Sequence, residues 1–210
     1  MEHESTQSTA QAVHRRAHWP ERIGALGGVM KVAVFIERDG VLNEVRVERH
    51  QPVSPLSLED FRAKQEAVPL LKKLKAAGLL LMATTNQPGL SRGYQPRREL
   101  DRMHELLRVT FALDDILVCP HDTTDACSCR RPKPGLLVEA SFKWRLNLDH
   151  CFVISDKWQD AEAARAVGCT SLLLKSPWNG TVRASFMLPD LATAVDKLLR
   201  LRSSKPLLAA

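Results

Sequence analysis

The sequence predicts an α/β fold, a Rossmann-like doubly wound parallel sheet with a zinc-binding loop. From Lys31 onward, short apolar runs alternate with amphipathic segments, as is typical of parallel strands joined by crossover helices. With 210 residues, 44% hydrophobic and 26% charged, the chain has enough apolar side chains for one full core. Three of its five cysteines are crowded between positions 119 and 129, which favours a metal site in a reducing compartment over a disulfide framework.

Five short apolar runs are predicted to be strands, since each is brief and mostly apolar, as a buried parallel sheet requires. These strands are expected at residues 31–36, 79–84, 115–118, 151–155 and 170–174. Five segments between and after them show helical periodicity or helix start and stop signals. These helices are expected at residues 66–77, 97–111, 134–144, 160–167 and 189–201.

The chain is expected to divide into three parts. Residues 1–29 are polar with little periodicity and are predicted to form a flexible leader. Residues 30–202 would form the folded domain, and residues 203–210 a C-terminal tail. Because the sequence has no apolar run of about 18 residues and no signal-peptide pattern, we expect a cytoplasmic protein without membrane contact.

The formal net charge of +6 indicates an anionic partner. A nucleic acid would fit this charge, but the chain has one tyrosine, and its Lys and Arg residues are scattered among acids along predicted helices. We therefore expect a small anionic molecule as partner and no nucleic acid. The protein is expected to act as a monomer.

The first strand ends in a pair of carboxylates, Glu37 and Asp39, followed by Gly40. Residues i and i+2 of a strand project from one face, so both carboxylates can reach one point while the glycine lets the chain turn sharply. One carboxylate can then attack a substrate or hold a metal while the other transfers a proton. A strand that ends in an ordinary polar turn would show the same pattern.

Polar side chains also follow the other strands, at the edge where active sites of open parallel sheets lie. Thr85 and Asn86 follow the second strand and suit phosphate oxygens, although a helix cap or a turn would use the same residues. Asp156 follows the fourth strand and can join Glu37 and Asp39 around Mg²⁺. The alternative for Asp156 is a surface ion pair beside a helix start.

The clearest local signal lies in the loop after the third strand. Three thiols and one imidazole within eleven positions match the tetrahedral preference of Zn²⁺, and a set of four protein ligands indicates a structural ion. The ligands would be Cys119, His121, Cys127 and Cys129, and unliganded thiols are the alternative. The cations Arg130, Arg131 and Lys133 follow at once, where they form either a phosphate-binding cluster or a solvated basic turn.

Together these motifs resemble the haloacid dehalogenase superfamily, and within it the capless phosphatases with a zinc loop that act on D-glycero-D-manno-heptose 1,7-bisphosphate or histidinol phosphate. The resemblance spans about residues 31 to 177 and follows the motif order of that group. It rests on residues 37–43, residues 85–94, the Cys/His loop, residues 129–132 and the Asp156-Lys157 pair.

The resemblance implies a Mg²⁺-dependent phosphatase that forms an acyl phosphate on the residue at position 37. Asp39 would protonate the leaving alcohol and then activate water, Thr85 would orient the phosphoryl group, and Arg131 would stabilise it. Asn86, Arg130 and Lys133 would bind the substrate. Glu37, Asp39 and Asp156 would hold Mg²⁺. The residues at 30–202 would thus form a phosphatase domain for a small phosphorylated metabolite.

Two residues depart from the family pattern. The first carboxylate of the family is aspartate, whereas this chain has Glu37, and Arg131 stands where lysine is usual. Displacement of the attacking oxygen by about 1 Å can cost about a hundredfold in rate. The heptose bisphosphate remains the first substrate hypothesis. Histidinol phosphate, another phosphate ester, a phosphate-binding protein without turnover and, last, a nucleic-acid end phosphatase are the alternatives.

Overall fold

The computed structural model describes residues 31–204 and contains eight strands and five helices in that range. The predicted leader at residues 1–29 and residues 205–210 of the predicted tail lie outside the described residues. In chain order the elements are β1 Ala33–Glu37, β2 Arg46–Glu48, β3 Gln51–Val53, α1 Ala67–Ala76, β4 Leu80–Asn86, α2 Arg97–Phe111, β5 Asp115–Cys119, α3 Gly135–Trp144, β6 Phe152–Ser155, α4 Trp158–Ala166, β7 Thr170–Leu174, β8 Phe186–Leu188 and α5 Leu191–Ser204.

Six strands form one parallel sheet in the order β5-β4-β1-β6-β7-β8. β1 lies in the middle of the sheet. β4 and β5 extend the sheet on one side of β1, and β6, β7 and β8 extend it on the other side. This order confirms the predicted doubly wound α/β fold. β2 and β3 pair separately as a short antiparallel hairpin.

Both faces of the sheet are covered, which explains why its central strands are apolar throughout. All five residues of β1 are buried, and successive side chains enter opposite cores. Val34 and Ile36 pack in the core beneath α1, α2 and α5, whereas Ala33 and Phe35 pack in the core beneath α3 and α4.

The five predicted strands and five predicted helices are all present, with ends shifted by a few residues. α4 starts at Trp158 rather than at residue 160, and α5 runs to Ser204 rather than to residue 201. Three short strands were not predicted: the edge strand β8 and the hairpin β2–β3. Each has three residues, and none of them is buried, so none carries a periodic apolar signal.

Strand register brings the predicted motifs to one edge of the sheet. Glu37 lies beside Thr84 in the β1–β4 pair, and Asn86 lies beside Cys119 in the β4–β5 pair. Parallel strands end together at their carboxyl ends, so the residues after β1, β4, β5 and β6 share one rim. Across residues 31–204, no helix is both long and apolar enough to cross a membrane.

Replacing Leu107 by Ala should lower the free energy of unfolding by about 2 to 5 kcal/mol, because this α2 side chain is fully buried in the larger core. Its neighbour Leu106 is 42% exposed and gives a matched control on the same helix. Leu106→Ala should cost less than about 1 kcal/mol. Urea titration of both variants measures the difference, and equal losses would contradict the packing described for α2.

Candidate active site and cysteine–histidine loop

Glu37 ends β1 and is completely buried. Its Oε2 atom forms an ion pair with Arg131 Nη1, and its Oε1 atom accepts a hydrogen bond from the backbone N–H of Asp39. Burial raises the pKa of Glu37 to about 7, even though the charge of Arg131 opposes that rise. Glu37 therefore has a carboxyl group that titrates near neutral pH.

Asp39 is also buried but lies in a different electrostatic environment. Burial alone would raise its pKa, but the charge of Arg38 and hydrogen bonds from Arg38 and Asn43 outweigh burial and lower it to about 2. The side chains that donate to its carboxylate are Arg38, Asn43, Ser54, Thr85 and Gln87. Asp39 is thus ionised across the neutral range.

Arg38 was not predicted as a site residue. Its guanidinium is fully buried, donates to both carboxylate oxygens of Asp39 at 3.0 Å and lies over the ring of Phe61. On the other side, Arg38 Nη1 lies 3.2 Å from His104 Nε2 of α2. Burial, reinforced by the charge of Arg38, lowers the pKa of His104 to about 3, so its imidazole is neutral. Arg38 therefore compensates the buried charge of Asp39.

Thr85 and Gln87 approach Asp39 from the end of β4. Thr85 donates from Oγ1 to Asp39 Oδ2 at 3.2 Å, and Gln87 donates from Nε2 to the same oxygen at 2.8 Å. Gln87 Nε2 also lies 2.7 Å from Thr85 Oγ1. No role was predicted for Gln87, although its i+2 spacing from Thr85 is the signal that places both on one face.

Asp156 and Lys157 follow β6 and reach the same rim. Lys157 Nζ donates to Asp156 Oδ1 at 2.7 Å and to the backbone carbonyl of Asp39 at 2.6 Å, so two oxygens from different strands share one cation. Gly40 has a φ of +98° and faces Asp156, and a Cβ atom at this position would clash with that carboxylate. The glycine after Asp39 is therefore required by both its conformation and this close approach.

Arg131 links Glu37 to a further acid, Asp160 of α4. Its Nη1 atom lies 3.3 Å from Asp160 Oδ2, and that oxygen also accepts a hydrogen bond from Ser155 Oγ at 2.6 Å. The neighbouring acids keep the pKa of Arg131 above its ordinary value although burial opposes them. No role was predicted for Asp160 from the sequence. Its contact with Arg131 makes it part of the site.

The three remaining predicted substrate-binding residues differ in their contacts. Asn86 and Lys133 line a small pocket with Thr85 and Arg131, although Lys133 Nζ itself donates to the backbone carbonyls of residues 126 and 127. Arg130 donates to the backbone carbonyl of His121 at 3.1 Å. Both cations thus brace the loop that carries the cysteines.

Cys119, His121, Cys127 and Cys129 come together as predicted, with ligand atoms within 4.8 Å of one another. Measured separations are 3.8 Å between Cys119 Sγ and Cys127 Sγ, 3.5 Å between Cys127 Sγ and Cys129 Sγ, and 3.2 Å between His121 Nδ1 and Cys129 Sγ. Ligands around a tetrahedral ion with Zn–S bonds of about 2.3 Å lie about 3.8 Å apart. The donor set and its spacing fit such an ion.

Among residues 31–204, this cluster is the only group of three or more His, Cys, Asp or Glu side chains gathered closely enough to hold a metal ion. The side chains of Glu37, Asp39 and Asp156 do not form a second such group, and each is paired with a neighbouring cation. The oxygens that already share a cation are Asp156 Oδ1 and the backbone carbonyl of Asp39.

The chain is similar to known hydrolases and phosphatases. A HAD-hydrolase-like family model matches residues 128–189. The D-glycero-β-D-manno-heptose-1,7-bisphosphate 7-phosphatase of Pseudomonas putida is 30% identical over 177 residues, which cover 79% of this chain and 98% of the relative. The enzyme of the same name from Helicobacter pylori strain J99 is 34% identical over 134 residues, 61% of this chain and 74% of the relative.

A solved structure extends the similarity to the whole fold. The D,D-heptose 1,7-bisphosphate phosphatase of B. bronchiseptica, complexed with magnesium and phosphate, matches with a TM-score of 0.70 and 26% identity. The match covers 82% of this chain and 99% of that chain. The corresponding phosphatase from Burkholderia thailandensis, at 21% identity and a TM-score of 0.57, shares the fold.

The raised pKa of Glu37 predicts a pH-dependent loss of stability. Its folded pKa of about 7 lies above the ordinary value of 4.5, so the folded state holds the proton more tightly than the unfolded state does. Stability from this group is complete below pH 4.5 and is lost as the pH rises towards 7. Between pH 5 and pH 8 the loss should be about 2 to 3 kcal/mol.

Urea titrations of the wild type and Glu37→Gln across this pH range test the assignment. The wild type should lose stability relative to Glu37→Gln as the pH rises, because the amide cannot titrate. Glu48→Gln is the control, since Glu48 is exposed on β2. Parallel pH profiles for the wild type and Glu37→Gln would show that Glu37 does not carry the shift.

Proposed function

Because the chain belongs to the haloacid dehalogenase-like phosphatases, in the group of the heptose bisphosphate phosphatases, we propose that it hydrolyses a small sugar phosphate of the D-glycero-D-manno-heptose 1,7-bisphosphate type. This family consists of phosphoric monoester hydrolases. The observation that carries the proposal is the convergence of Glu37, Asp39, Thr85 and Arg131 at one edge of the sheet. The relatives named above support this type of substrate.

The proposed reaction proceeds through an acyl phosphate on Glu37. One carboxylate oxygen attacks phosphorus, the bond from phosphorus to the ester oxygen breaks, and the sugar leaves as an alcohol that takes up a proton. Water then attacks the acyl phosphate, which releases inorganic phosphate and restores the carboxylate. At rest, Glu37 must first exchange its ion pair with Arg131 for contact with the phosphoryl group.

Asp39 is the proposed acid and base of this reaction. Its low pKa keeps it ionised at neutral pH, so the resting site is better prepared to accept a proton from water than to donate one to the leaving alcohol. The hydrogen bonds from Thr85 and Gln87 fix the carboxylate at the end of β4. Donation to the alcohol requires a weaker contact with Arg38 than the resting structure has.

Cations lie on one side of the proposed phosphate site. Arg131 faces Glu37 and carries a planar fork suited to phosphate oxygens. Arg130 and Lys133 come from the same segment, so an anionic substrate would be drawn to this side of the rim. Asn86 lines the pocket beside Arg131 and supplies an amide to its polar wall.

We propose Mg²⁺ as the cofactor, held by Asp156, Glu37 and the backbone carbonyl of Asp39. The oxygens of Asp39 and Asp156 already share one cation, the ammonium of Lys157, and hard oxygen donors are those that Mg²⁺ prefers. When bound, the ion would neutralise phosphate charge during transfer. Lys157 would then turn towards the phosphate or towards the ring of Trp178, which lies 5.8 Å from its Nζ atom.

The cysteine–histidine cluster is proposed to bind a structural Zn²⁺ through Cys119, His121, Cys127 and Cys129. Support comes from the four soft donors and their mutual spacing. Cys129 directly precedes Arg130 and Arg131 in the chain. The ion would therefore restrict the segment that brings these cations to the phosphate.

A phosphate-binding protein without turnover is the second candidate. The ion pair between Glu37 and Arg131 favours it, because the carboxylate occupies the guanidinium that should face the transferred group. Glutamate also carries the attacking oxygen one methylene further from the backbone than aspartate does. In this case the pocket would retain phosphate affinity but not the geometry of attack.

Comparing wild type with Glu37→Asp separates the two candidates. A phosphatase that has adapted to glutamate should release phosphate from the heptose bisphosphate with Mg²⁺ at a rate at least equal to that of the variant. A binding protein should gain activity only in Glu37→Asp. Glu37→Ala serves as the inactive control, and turnover by that variant would remove Glu37 from the role of nucleophile.

The zinc assignment predicts about one Zn²⁺ per chain in protein treated with a mild Mg²⁺ chelator. Replacing Cys127 and Cys129 together by Ser should release the ion, as elemental analysis would show. Cys169→Ser is the control, because this buried thiol lies outside the cluster and the variant should keep its zinc. Stoichiometric zinc in the double variant would contradict the ligand assignment.

A further inference from the structure

An ion pair joins two loops at the rim of the site. The β4–α2 loop contributes Arg92, and the loop that carries the cysteine–histidine cluster contributes Asp122. Arg92 Nε donates to Asp122 Oδ2 at 2.6 Å, and Arg92 Nη2 donates to Asp122 Oδ1 at 2.6 Å. This paired arrangement, here called the clasp, is the geometry in which guanidinium and carboxylate fix each other's orientation most strongly.

Asp122 is tied to the cysteine–histidine cluster. It directly follows His121, and its Oδ1 atom accepts a hydrogen bond from the backbone N–H of Thr123 at 2.7 Å. Its own backbone N–H donates to Asp125 Oδ2 at 2.7 Å, which completes a capping box on the short 3-10 turn Thr123–Asp125. The carboxylate of the clasp is therefore held in place by the loop that carries the cluster.

Arg92 is tied to the catalytic rim through its own loop. Its backbone N–H donates to the carbonyl of Pro88 at 3.0 Å. Gln87, which precedes that proline, donates from its backbone N–H to the carbonyl of Cys119 at 2.7 Å and from its side chain to Asp39. The clasp and the Gln87 contact thus fasten the β4–α2 loop to the cluster at two points.

The clasp also affects which group the second cation of this loop, Arg130, contacts. Arg130 lies on the same loop, directly after Cys129 of the cluster. With both oxygens held by Arg92, Asp122 leaves Arg130 bonded to a backbone carbonyl, that of His121. A cation in that arrangement keeps its full charge for an anionic ligand, since its partner is neutral.

We propose that Arg92 is a positioning residue for substrate specificity, which holds the β4–α2 loop against the cysteine–histidine loop as one wall of the substrate entrance. This inference rests on the proposed phosphatase function. A substrate larger than its phosphate group would contact that wall, whereas a minimal ester would reach only the rim at Glu37 and Arg131. The clasp therefore acts on the choice between large and small esters rather than on the attack at phosphorus.

Charge exchange across the clasp gives a direct test. Arg92→Glu, Asp122→Arg and the combined variant are compared with wild type in phosphate release from the heptose 1,7-bisphosphate and from methyl phosphate. The ratio of the two kcat/KM values measures specificity. Each single variant should lower this ratio about fivefold, mainly through KM for the bisphosphate, since a half-exposed ion pair has a modest effect. The combined variant should recover part of this loss, because it restores the ion pair but not the hydrogen bond that Asp122 accepts from the backbone N–H of Thr123.

Arg97→Glu is the matched control. Arg97 forms an exposed ion pair with Asp101 at 2.8 Å within α2, so the variant makes the same charge change outside the clasp. Its specificity ratio should stay within about twofold of wild type, as expected for a surface pair. An equal fall in Arg97→Glu would attribute the effect to net charge and overturn the proposal. An unchanged ratio in Arg92→Glu, or no recovery in the combined variant, would also overturn it.

Amide hydrogen exchange separates failure of this inference from failure of the proposed function. If wild-type protein hydrolyses neither ester, the phosphatase proposal fails and the clasp is judged by exchange alone. Each single variant should then exchange faster at residues 88–95 and at residues 121–126 together, and the combined variant should recover protection. Unchanged exchange in both segments would show that the clasp does not position the wall.

Discussion

Burial of two carboxylates at the end of β1 is the constraint on which the site depends. Glu37 and Asp39 are almost completely withdrawn from solvent, and an unpaired buried charge costs several kcal/mol. Three cations offset this cost. They are Arg38 beside the pair, Arg131 after the cysteine–histidine loop and Lys157 after β6. Segments distant in sequence must therefore converge at one edge of the sheet.

The sequence predicted the sheet and the edge at which these side chains converge, because both depend on periodicity and on strand ends. It could not predict which cation meets which carboxylate. Alternation along a strand would place Arg38 on the face opposite Glu37 and Asp39, yet the chain turns after Glu37 and Arg38 reaches Asp39. Gln87 and Asp160 acquire their roles through contacts with Asp39 and Arg131, which only the assembled fold creates. The hairpin β2–β3 lacked any buried residue that could have revealed it.

The two carboxylates differ because their partners differ. Asp39 receives a guanidinium on both oxygens together with neutral donors, and its pKa falls to about 2. Glu37 has Arg131 but also faces the charge of Asp160, so burial dominates and its pKa rises to about 7. At neutral pH a substantial fraction of Glu37 therefore carries a proton, and in the proposed reaction only the ionised fraction could attack phosphorus.

The cysteine–histidine loop serves the same requirement, because it holds cations in fixed positions. A guanidinium on a long flexible side chain loses conformational entropy when it is held at one point, and a rigid attachment lowers that cost. Arg130 and Arg131 begin immediately after Cys129, and Lys133 donates back to the loop carbonyls. Soft sulfur and imidazole donors suit an ion that braces this segment, whereas the hard oxygens of Asp39 and Asp156 suit one that meets phosphate. The two donor sets thus differ enough in chemistry for the proposed Zn²⁺ and the proposed Mg²⁺ to be selected by separate sites.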